Sequence, residues 1–236
     1  MAKNSPSNVD AWLKRETPCV RKALENASRH FNANDHLTVN ILEAVYGRES
    51  SFGTLMRERG SSKAAGHFHL MPKTARRYGL VVSKHNDQRF DLDRAASAAA
   101  RYLKDLNTMF GKSSALVKAP DTIPVKSVAD RTKFVLAAYN GGEGRIARAQ
   151  HLAEAAGKNP QRWSDVQQFL EAARASAAKA KEIRDYVEIV PLYELEFAQK
   201  SQADKNLKQK AVKESKNQCT DGRWVTIDDR PVFICV

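Results

Sequence analysis

The sequence contains no run of about twenty apolar residues, which is the length that an α-helix needs to span a bilayer. Its first residues, Met1 to Pro6, lead into polar sequence and lack the apolar core of a secretory signal peptide. From the sequence we therefore expect a soluble protein without a conventional export signal.

Cysteine is scarce, and its odd number limits the possible disulfides. The three cysteines are Cys19, Cys219 and Cys235. The last two bracket the C-terminal segment, where they would form a disulfide outside the cytoplasm or remain a free buried pair inside it. Both alternatives stay open.

Alternating runs of Val, Ile and Thr, which are typical of strands, are absent until the end of the chain. The composition is instead rich in Ala, Lys, Arg, Glu and Leu, which favours a mainly α fold. The last segment alternates on either side of Asp228-Asp229 and predicts a small C-terminal β-hairpin, with Pro231 at an edge.

Acidic residues are outnumbered, with 27 Asp and Glu against 39 Lys and Arg, which gives a net charge of +12. Such a chain is expected to bind an anionic partner. Nucleic acid, an acidic membrane surface and the bacterial cell wall all satisfy this charge, so it excludes none of them.

A chain of 236 residues can bury a full core, and we expect one catalytic domain with extensions. The predicted segments are an N-terminal helical extension, the catalytic domain, a basic polar linker or helix, and the hairpin, over 1–36, 37–198, 199–218 and 219–236. Pro191 is expected to break the helical pattern near the end of the catalytic domain.

The most informative residue is Glu49, because it follows an apolar helical stripe. The stripe consists of Ile41, Leu42, Val45 and Tyr46. Glu49 continues this buried face one turn later, where burial would keep a carboxyl protonated near neutral pH and fit it for acid catalysis. Gly47 beside it predicts close packing or room for a ligand. A solvated surface carboxylate is the alternative interpretation.

Further motifs follow Glu49 and Ser50 in a distinctive order. They are Ser61 and Ser62, the stretch GHFHLMPKTA at 66–75, the stretch AYNGGEGRI at 138–146, and EIRDYV at 182–187. Together, over roughly residues 37–197, these motifs resemble the soluble lytic transglycosylase (SLT) family.

The resemblance implies a lysozyme-like α domain that cleaves the β-1,4 bond between N-acetylmuramic acid and N-acetylglucosamine in peptidoglycan. Glu49 would protonate the glycosidic oxygen, and the sugar's own 6-hydroxyl would then close onto C1 to give a 1,6-anhydro product. This carbon–oxygen lyase reaction consumes no water and calls for no cofactor or metal.

The resemblance also implies supporting roles for several residues around Glu49. Ser61 or Ser62 would hold the acid or the acetamido group, Tyr139 and Tyr186 would tune the acid, and Asn140 would bond the site's backbone. The full supporting set is Ser50, Ser61, Ser62, His69, Tyr139, Asn140 and Tyr186. Core packing is the alternative for both tyrosines, and we also expect Asn140 to cap its helix.

The chain departs from the family pattern at two places. His67-Phe68-His69 replaces the usual Leu-Met-Gln, so that His69 would keep the glutamine's hydrogen bond with a pH dependence that an amide lacks. The pair of histidines also admits a metal site, although no third ligand lies nearby in the sequence. Glu143 stands where the family usually has proline.

Three alternative functions remain open. If Glu43 or Glu58 served as a second carboxylate, the protein would be a hydrolytic muramidase. A basic helical nucleic-acid binder would explain the lysines, but no interleaved aromatic signals for base stacking are present. A non-catalytic wall-binding protein is the third alternative.

The expected partner is peptidoglycan, reached in the periplasm or cell wall. Because we expect no export signal, we also predict delivery as a phage component or as a secreted antibacterial effector. The C-terminal hairpin would serve as a docking module for delivery machinery or virion proteins, or simply as an edge cap. An inhibitor or immunity protein is a further possible partner, and no specific nucleic acid is expected.

Overall fold

The structure of the protein is a computed structural model that describes residues 7–57, 63–217, 222–227 and 230–235. Within these ranges the chain forms nine α-helices and two β-strands, which confirms the mainly α, lysozyme-like fold. The helices are α1 (Asn8–Leu13), α2 (Pro18–Ser28), α3 (Val39–Ser50), α4 (Pro72–Arg77), α5 (Leu92–Gly111), α6 (Val128–Gly141), α7 (Glu143–Ala155), α8 (Trp163–Val166) and α9 (Ala177–Asn217), and the strands are β1 (Gly222–Ile227) and β2 (Arg230–Cys235).

Helix α5 lies at the centre of the fold and packs against α2, α3 and α6. Its buried face is dominated by small side chains, namely Ala95, Ala96, Ala98, Ala99 and Ala100. Alanines let neighbouring helices approach closely and lose no side-chain entropy on folding. The larger Leu103 and Leu106 fill the same face further along and are fully buried. Each contributes roughly 1.5–3 kcal/mol of hydrophobic stabilisation.

Local signals set the ends of the helices. The Thr17 side chain accepts a hydrogen bond from the Val20 amide, and Pro18 begins α2. The Asp91 side chain caps α5 in the same way. Gly142 has a φ of 89°, a left-handed conformation that separates α6 from α7 at almost no steric cost for glycine.

Helix α3 presents the predicted apolar stripe to the core. Ile41, Leu42, Val45 and Tyr46 are all at most 1% exposed, as the sequence predicted. The space beside Gly47 is not open for a ligand, because a Cβ there would lie 2.4 Å from the Trp12 ring. Trp12 of α1 therefore braces the helix that carries Glu49.

The chain divides into two compact units, Met1–Leu195 and Glu196–Val236. Helix α9 runs without interruption through Pro191, so the expected break there is wrong. A proline inside a helix costs about 3 kcal/mol. The buried side chains of Tyr186, Val187 and Val190 on the preceding turns supply packing energy that outweighs this cost.

The predicted C-terminal hairpin is confirmed in the described strands, since β1 pairs antiparallel with β2. In this register Trp224 lies opposite Phe233, and Thr226 lies opposite Pro231. The pairing of Cys219 with Cys235 lies outside the described residues and stays a prediction. Among the helices that the structure describes, none combines the length and apolarity needed to cross a bilayer.

Candidate active site

Glu49 lies in the last turn of α3, where the buried stripe reaches the surface. Its side chain is 13% exposed, so the carboxylate is largely shielded yet accessible. The helix ends in a left-handed turn, with φ of 49° at Ser51 and 80° at Gly53. The Ser50 hydroxyl accepts a hydrogen bond from the Gly53 amide at 3.0 Å and donates to the Tyr46 carbonyl at 3.3 Å. Ser50 thus shapes the turn that follows the acid.

Two tyrosines from different helices face Glu49. Tyr186 of α9 is 1% exposed, and its ring stacks on that of Tyr139 of α6 with centroids 6.5 Å apart. Burial and then the negative charge of Glu49 raise the pKa of both phenols. The Tyr186 hydroxyl lies close enough to Glu49 to interact with its carboxylate. Both hydroxyls keep their protons; the Tyr139 proton is donated to the Phe68 carbonyl, so Tyr186 is the phenol of this pair that is available as a donor to Glu49.

His69 approaches the acid from the loop before α4. Its Nε2 donates a hydrogen bond to the Leu55 carbonyl at 2.7 Å, and its Nδ1 lies 3.9 Å from Glu49 Oε2. The imidazole is only 5% exposed. The structure therefore brings Glu49, His69, Tyr139 and Tyr186 together.

Glu43, one of the two acids that the sequence offered as a second carboxylate, is fully buried on another face of α3. Its Oε1 lies 2.5 Å from Arg21 Nη1, and its side chain is 0% exposed. Burial raises the pKa of Glu43 to about 7 despite the neighbouring guanidinium. No substrate can reach this carboxyl. Glu58, like Ser61 and Ser62, lies outside the described residues.

The transglycosylase SLT domain family matches residues 27–161, which is more than half of the chain. The chain belongs to the transglycosylase SLT family. The matched range contains Glu49, His69 and Tyr139. Tyr186 and the EIRDYV motif of 182–187 lie beyond it, as does the bracing helix α1.

Three relatives to which this SLT domain is similar are all named membrane-bound lytic murein transglycosylases. Over 84 residues the chain is 39% identical to membrane-bound lytic murein transglycosylase F of Marinobacter nauticus, covering 36% of this chain and 14% of that protein. Over 103 residues it is 32% identical to membrane-bound lytic murein transglycosylase D of Escherichia coli K12, covering 44% and 19%. Over 154 residues it is 29% identical to the F protein of Pseudomonas fluorescens, covering 64% and 28%. The matches thus span less than a third of each relative's length.

His67 and His69, which form the first departure of this SLT domain from the usual motif, have different partners. His67 Nδ1 pairs with the Tyr46 hydroxyl at 3.0 Å, and burial lowers the pKa of His67. His69 faces Glu49 instead. Within the part of the chain that the structure describes, no three His, Cys, Asp or Glu side chains cluster as a metal site.

The second departure, Glu143, is a half-buried residue that links three helices. Its carboxylate accepts hydrogen bonds from Arg77 at 2.9 Å and from the Tyr102 hydroxyl at 3.1 Å. Burial alone would raise its pKa, but these hydrogen bonds and the Arg77 charge lower the pKa of Glu143. Where the family usually has proline, this chain therefore has a carboxylate whose hydrogen bonds link α4, α5 and α7.

Asn140 is tied to the start of α9 rather than to the acid. Its amide donates to Glu182 Oε1 at 3.0 Å and accepts from Lys179 Nζ at 3.0 Å. The expectation that Asn140 caps α6 is wrong, because the helix continues to Gly141 and Gly142 occupies the C-cap. Glycine adopts the left-handed φ of this position at little cost, which explains why the C-cap is Gly142 and not Asn140.

Arg89 was missed from the sequence, although it holds the loop that carries His69. It is 3% exposed, and its Nη1 donates to the carbonyls of Lys63 at 2.6 Å and Leu70 at 3.0 Å. Asp87 neutralises it at 2.6 Å. The Asp-x-Arg spacing was the one signal in the sequence for the pair of Asp87 and Arg89. The carbonyls that Arg89 binds lie about twenty residues away and gave no signal.

Proposed function

We propose that this protein is a peptidoglycan lytic transglycosylase that cleaves the β-1,4 bond between N-acetylmuramic acid and N-acetylglucosamine. The observation that carries the proposal is Glu49, a shielded but accessible acid with two protonated tyrosines beside it. Family membership and the names of the relatives support the same reaction.

In the first step Glu49 donates its proton to the glycosidic oxygen. The bond from C1 to that oxygen breaks, and the leaving sugar departs as an alcohol. The positive character that develops at C1 is stabilised by the substrate's 2-acetamido oxygen. A carboxyl that is shielded from water yet reachable by the substrate is suited to this step, because it can pass its proton directly to the glycosidic oxygen.

In the second step the Glu49 carboxylate removes the proton of the 6-hydroxyl. The oxygen then bonds to C1 and closes the 1,6-anhydro ring, and Glu49 regains the proton that it had given. No water enters, and the acid returns to its starting state. One carboxylate therefore suffices for the complete reaction.

Tyr186 would stabilise the carboxylate between the two steps. Its raised pKa keeps the phenol as a hydrogen-bond donor while Glu49 carries its charge. Tyr139 donates its one proton to the Phe68 carbonyl at 3.0 Å, which links α6 to the loop of His69, and its ring stacks on that of Tyr186. We assign Ser50 to shaping the turn and Asn140 to holding α6 against α9.

Burial of Glu43 supports the lyase over the muramidase alternative. A hydrolase needs a second carboxylate that activates a water next to C1. Glu43 has no exposed surface and is committed to Arg21. It therefore offers no route to an attacking water.

The test is digestion of purified peptidoglycan by wild-type protein, Glu49→Gln and Glu43→Gln, with the released muropeptides weighed by mass spectrometry. We expect anhydro products, lighter by one water than reducing muropeptides, from the wild type and from Glu43→Gln but not from Glu49→Gln. Reducing-end products would instead identify a muramidase. Equal activity of Glu49→Gln would refute the assigned acid.

Peptidoglycan is the substrate that we propose, and the net charge of +12 supports it because stem peptides carry carboxylates. Delivery by a phage particle or a secretion system, docking through the hairpin, and an inhibitor or immunity partner stay predictions. Locating the tagged protein in purified virions or in culture supernatant, against the cytosol of the producing cell, would test the delivery route.

A further inference from the structure

We propose that His69 is a positioning residue that shares one proton with Glu49 and thereby sets the pH range of catalysis. The proposal rests on the proposed function, because the shared proton is the one that Glu49 donates. It concerns a position where this chain departs from the usual motif of its family. An amide could not perform this role, because it neither gains nor loses a proton at ordinary pH.

The hydrogen bond to Leu55 determines which ring nitrogen faces the acid. A carbonyl oxygen only accepts hydrogen bonds, so Nε2 must carry the proton at the 2.7 Å contact with Leu55. In the neutral ring Nδ1 is then unprotonated, and it is this lone pair that lies 3.9 Å from Glu49 Oε2. Any proton that the ring gains must be added on the side of the acid.

The pair can hold a single shared proton in two forms. In one form Glu49 is a carboxylic acid and His69 is neutral, and in the other Glu49 is a carboxylate and His69 is an imidazolium. Transfer of the proton from Oε2 to Nδ1 interconverts them, with no other reactant and no change in total charge. The separation of 3.9 Å becomes a direct hydrogen bond after a movement of about 1 Å.

The backbone supports a defined position for the ring. His69 has a φ of 43°, a left-handed conformation that is uncommon outside glycine. Arg89 fixes the following residue by donating to the Leu70 carbonyl, and Tyr139 fixes the preceding one by donating to Phe68. Strain of this kind, of roughly 1–3 kcal/mol, persists where the surroundings hold a residue firmly.

The polar groups that the structure describes on α3, α6 and α9 beside the pair do not compete for the proton near neutral pH. Tyr139 of α6 and Tyr186 of α9 face Glu49 with raised pKa values. Arg48 of α3 acts on the Tyr186 phenol through its positive charge, and arginine does not deprotonate in proteins. Among these described neighbours, His69 is the group that can exchange a proton with Glu49.

A surface pair provides a matched control with the same geometry. His151 Nε2 bonds the Asp121 carbonyl at 2.9 Å, and His151 Nδ1 lies 3.8 Å from Glu154 Oε2. The two side chains are 41% and 58% exposed, so water screens their interaction. The two pairs differ chiefly in burial, so comparing them isolates the effect of shielding from water on the interaction between the histidine and the glutamate.

The first experiment is an NMR titration of the histidine ring nitrogens in wild type, Glu49→Gln and Glu154→Gln, with each ring assigned through bonds to its backbone. We expect the neutral His69 ring to carry its proton on Nε2. We also expect the His69 pKa to fall by about one unit or more in Glu49→Gln. The His151 pKa should change far less in Glu154→Gln.

A proton on Nδ1 of the neutral His69 ring, or a His69 pKa that Glu49→Gln leaves unchanged, would overturn the proposal. The titration does not depend on enzymatic activity, so it tests the pair of Glu49 and His69 even if digestion of peptidoglycan yields no products. Absence of products would count against the proposed function alone. The two failures are thus distinguishable.

The second experiment compares the pH dependence of kcat/KM for wild type, His69→Gln and His151→Gln. A pair holds its last proton to higher pH than Glu49 does alone, because both one-proton forms must be depleted. We expect activity at high pH to fall with a lower apparent pKa in His69→Gln, by about one unit, with no change in His151→Gln. An unshifted alkaline limb in an active His69→Gln enzyme would overturn the proposal.

Discussion

Glu43 and Glu49 lie six residues apart on the same helix and are both largely removed from water, yet they have opposite surroundings. Glu43 has no exposed surface, and its carboxyl is paired with Arg21. Glu49 keeps 13% of its side chain exposed and faces Tyr139, Tyr186 and His69. The first carboxyl is a structural group, and we propose that the second is a reactive one.

The contrast shows that burial of a carboxyl is not sufficient to identify an active-site acid. Burial raises the pKa of Glu43 to about 7, which would suit a general acid, but no substrate can reach it. Glu49 differs because a substrate can reach it and because an uncharged hydrogen-bond donor, rather than an arginine, lies beside it.

The largest difference is expected between Glu49→Gln and Glu43→Gln in peptidoglycan digestion. Removing a general acid lowers the rate by roughly 10²–10⁴-fold, so Glu49→Gln should lose at least about a hundredfold in kcat. Glu43→Gln should stay within about threefold of wild type per folded molecule, because its carboxyl does not meet the substrate. Release of anhydro muropeptides over time measures both rates.

Circular dichroism of both variants serves as the control for folding. A well-folded Glu43→Gln with a hundredfold lower rate would contradict the distinction between the two acids. It would mean that the Arg21 pair shapes the site through α3.

Arg21→Ala should destabilise the protein on the Glu43 side when the pH lies above the Glu43 pKa. It leaves a fully buried carboxyl without its cation. Because the folded pKa of Glu43 is about 7, this carboxyl can take up a proton instead of staying charged, so the loss at about pH 8 is limited to about 1.5 kcal/mol. Arg21→Lys should recover part of the loss, since a charge remains. Urea denaturation at about pH 8 gives the free energy of unfolding, and a loss of about 3 kcal/mol or more would show that Glu43 stays charged without Arg21.

The stability of the wild type should depend on pH in a way that Glu43→Gln does not. Burial raises the pKa of Glu43 from 4.5 to about 7 in the folded protein, so the folded state holds the proton longer than the unfolded state. The contribution of this proton is fully present below about pH 4.5 and is lost as pH rises through about 7.

The free energy of unfolding of wild type minus that of Glu43→Gln should therefore fall by about 3 kcal/mol across this range. Taking the difference cancels the other titrating groups. Urea melts of both proteins from about pH 4 to about pH 8 measure it. A difference that rises with pH would mean that the Arg21 pair, rather than burial, dominates.

The sequence predicted the parts of the fold that depend on local pattern. The buried stripe from Ile41 to Tyr46 and the terminal hairpin follow from the periodicity of the apolar residues. The continuous helix through Pro191 could not be predicted in this way. Tertiary packing of the turns before the proline overrides its local cost.

The site was predictable to the extent that its residues lie in motifs. Glu49, Tyr139 and Tyr186 were predicted from their motifs, and the structure places the three side chains close together, while their roles stay predictions. Trp12 and Arg89 were not, because each acts on residues about twenty or more positions away and belongs to no periodic pattern. A glycine inside a helix indicated that something would pack closely at Gly47, but not that Trp12 would do so.

The smallest effect that we predict concerns the hydroxyl beside the acid. Tyr186→Phe keeps the ring that stacks on Tyr139 and removes only the donor that faces the Glu49 carboxylate. One such interaction contributes about 1.4 kcal/mol in a shielded site, so kcat for muropeptide release should fall about tenfold.

Tyr102→Phe is the matched control, because it also removes a buried hydroxyl, but one that bonds Glu143. Its kcat should stay within about twofold of wild type. Equal losses in the two variants would mean that general loosening of the core lowers the rate. A loss confined to Tyr186→Phe would tie the effect to Glu49, since that is the carboxylate whose charge acts on the Tyr186 phenol.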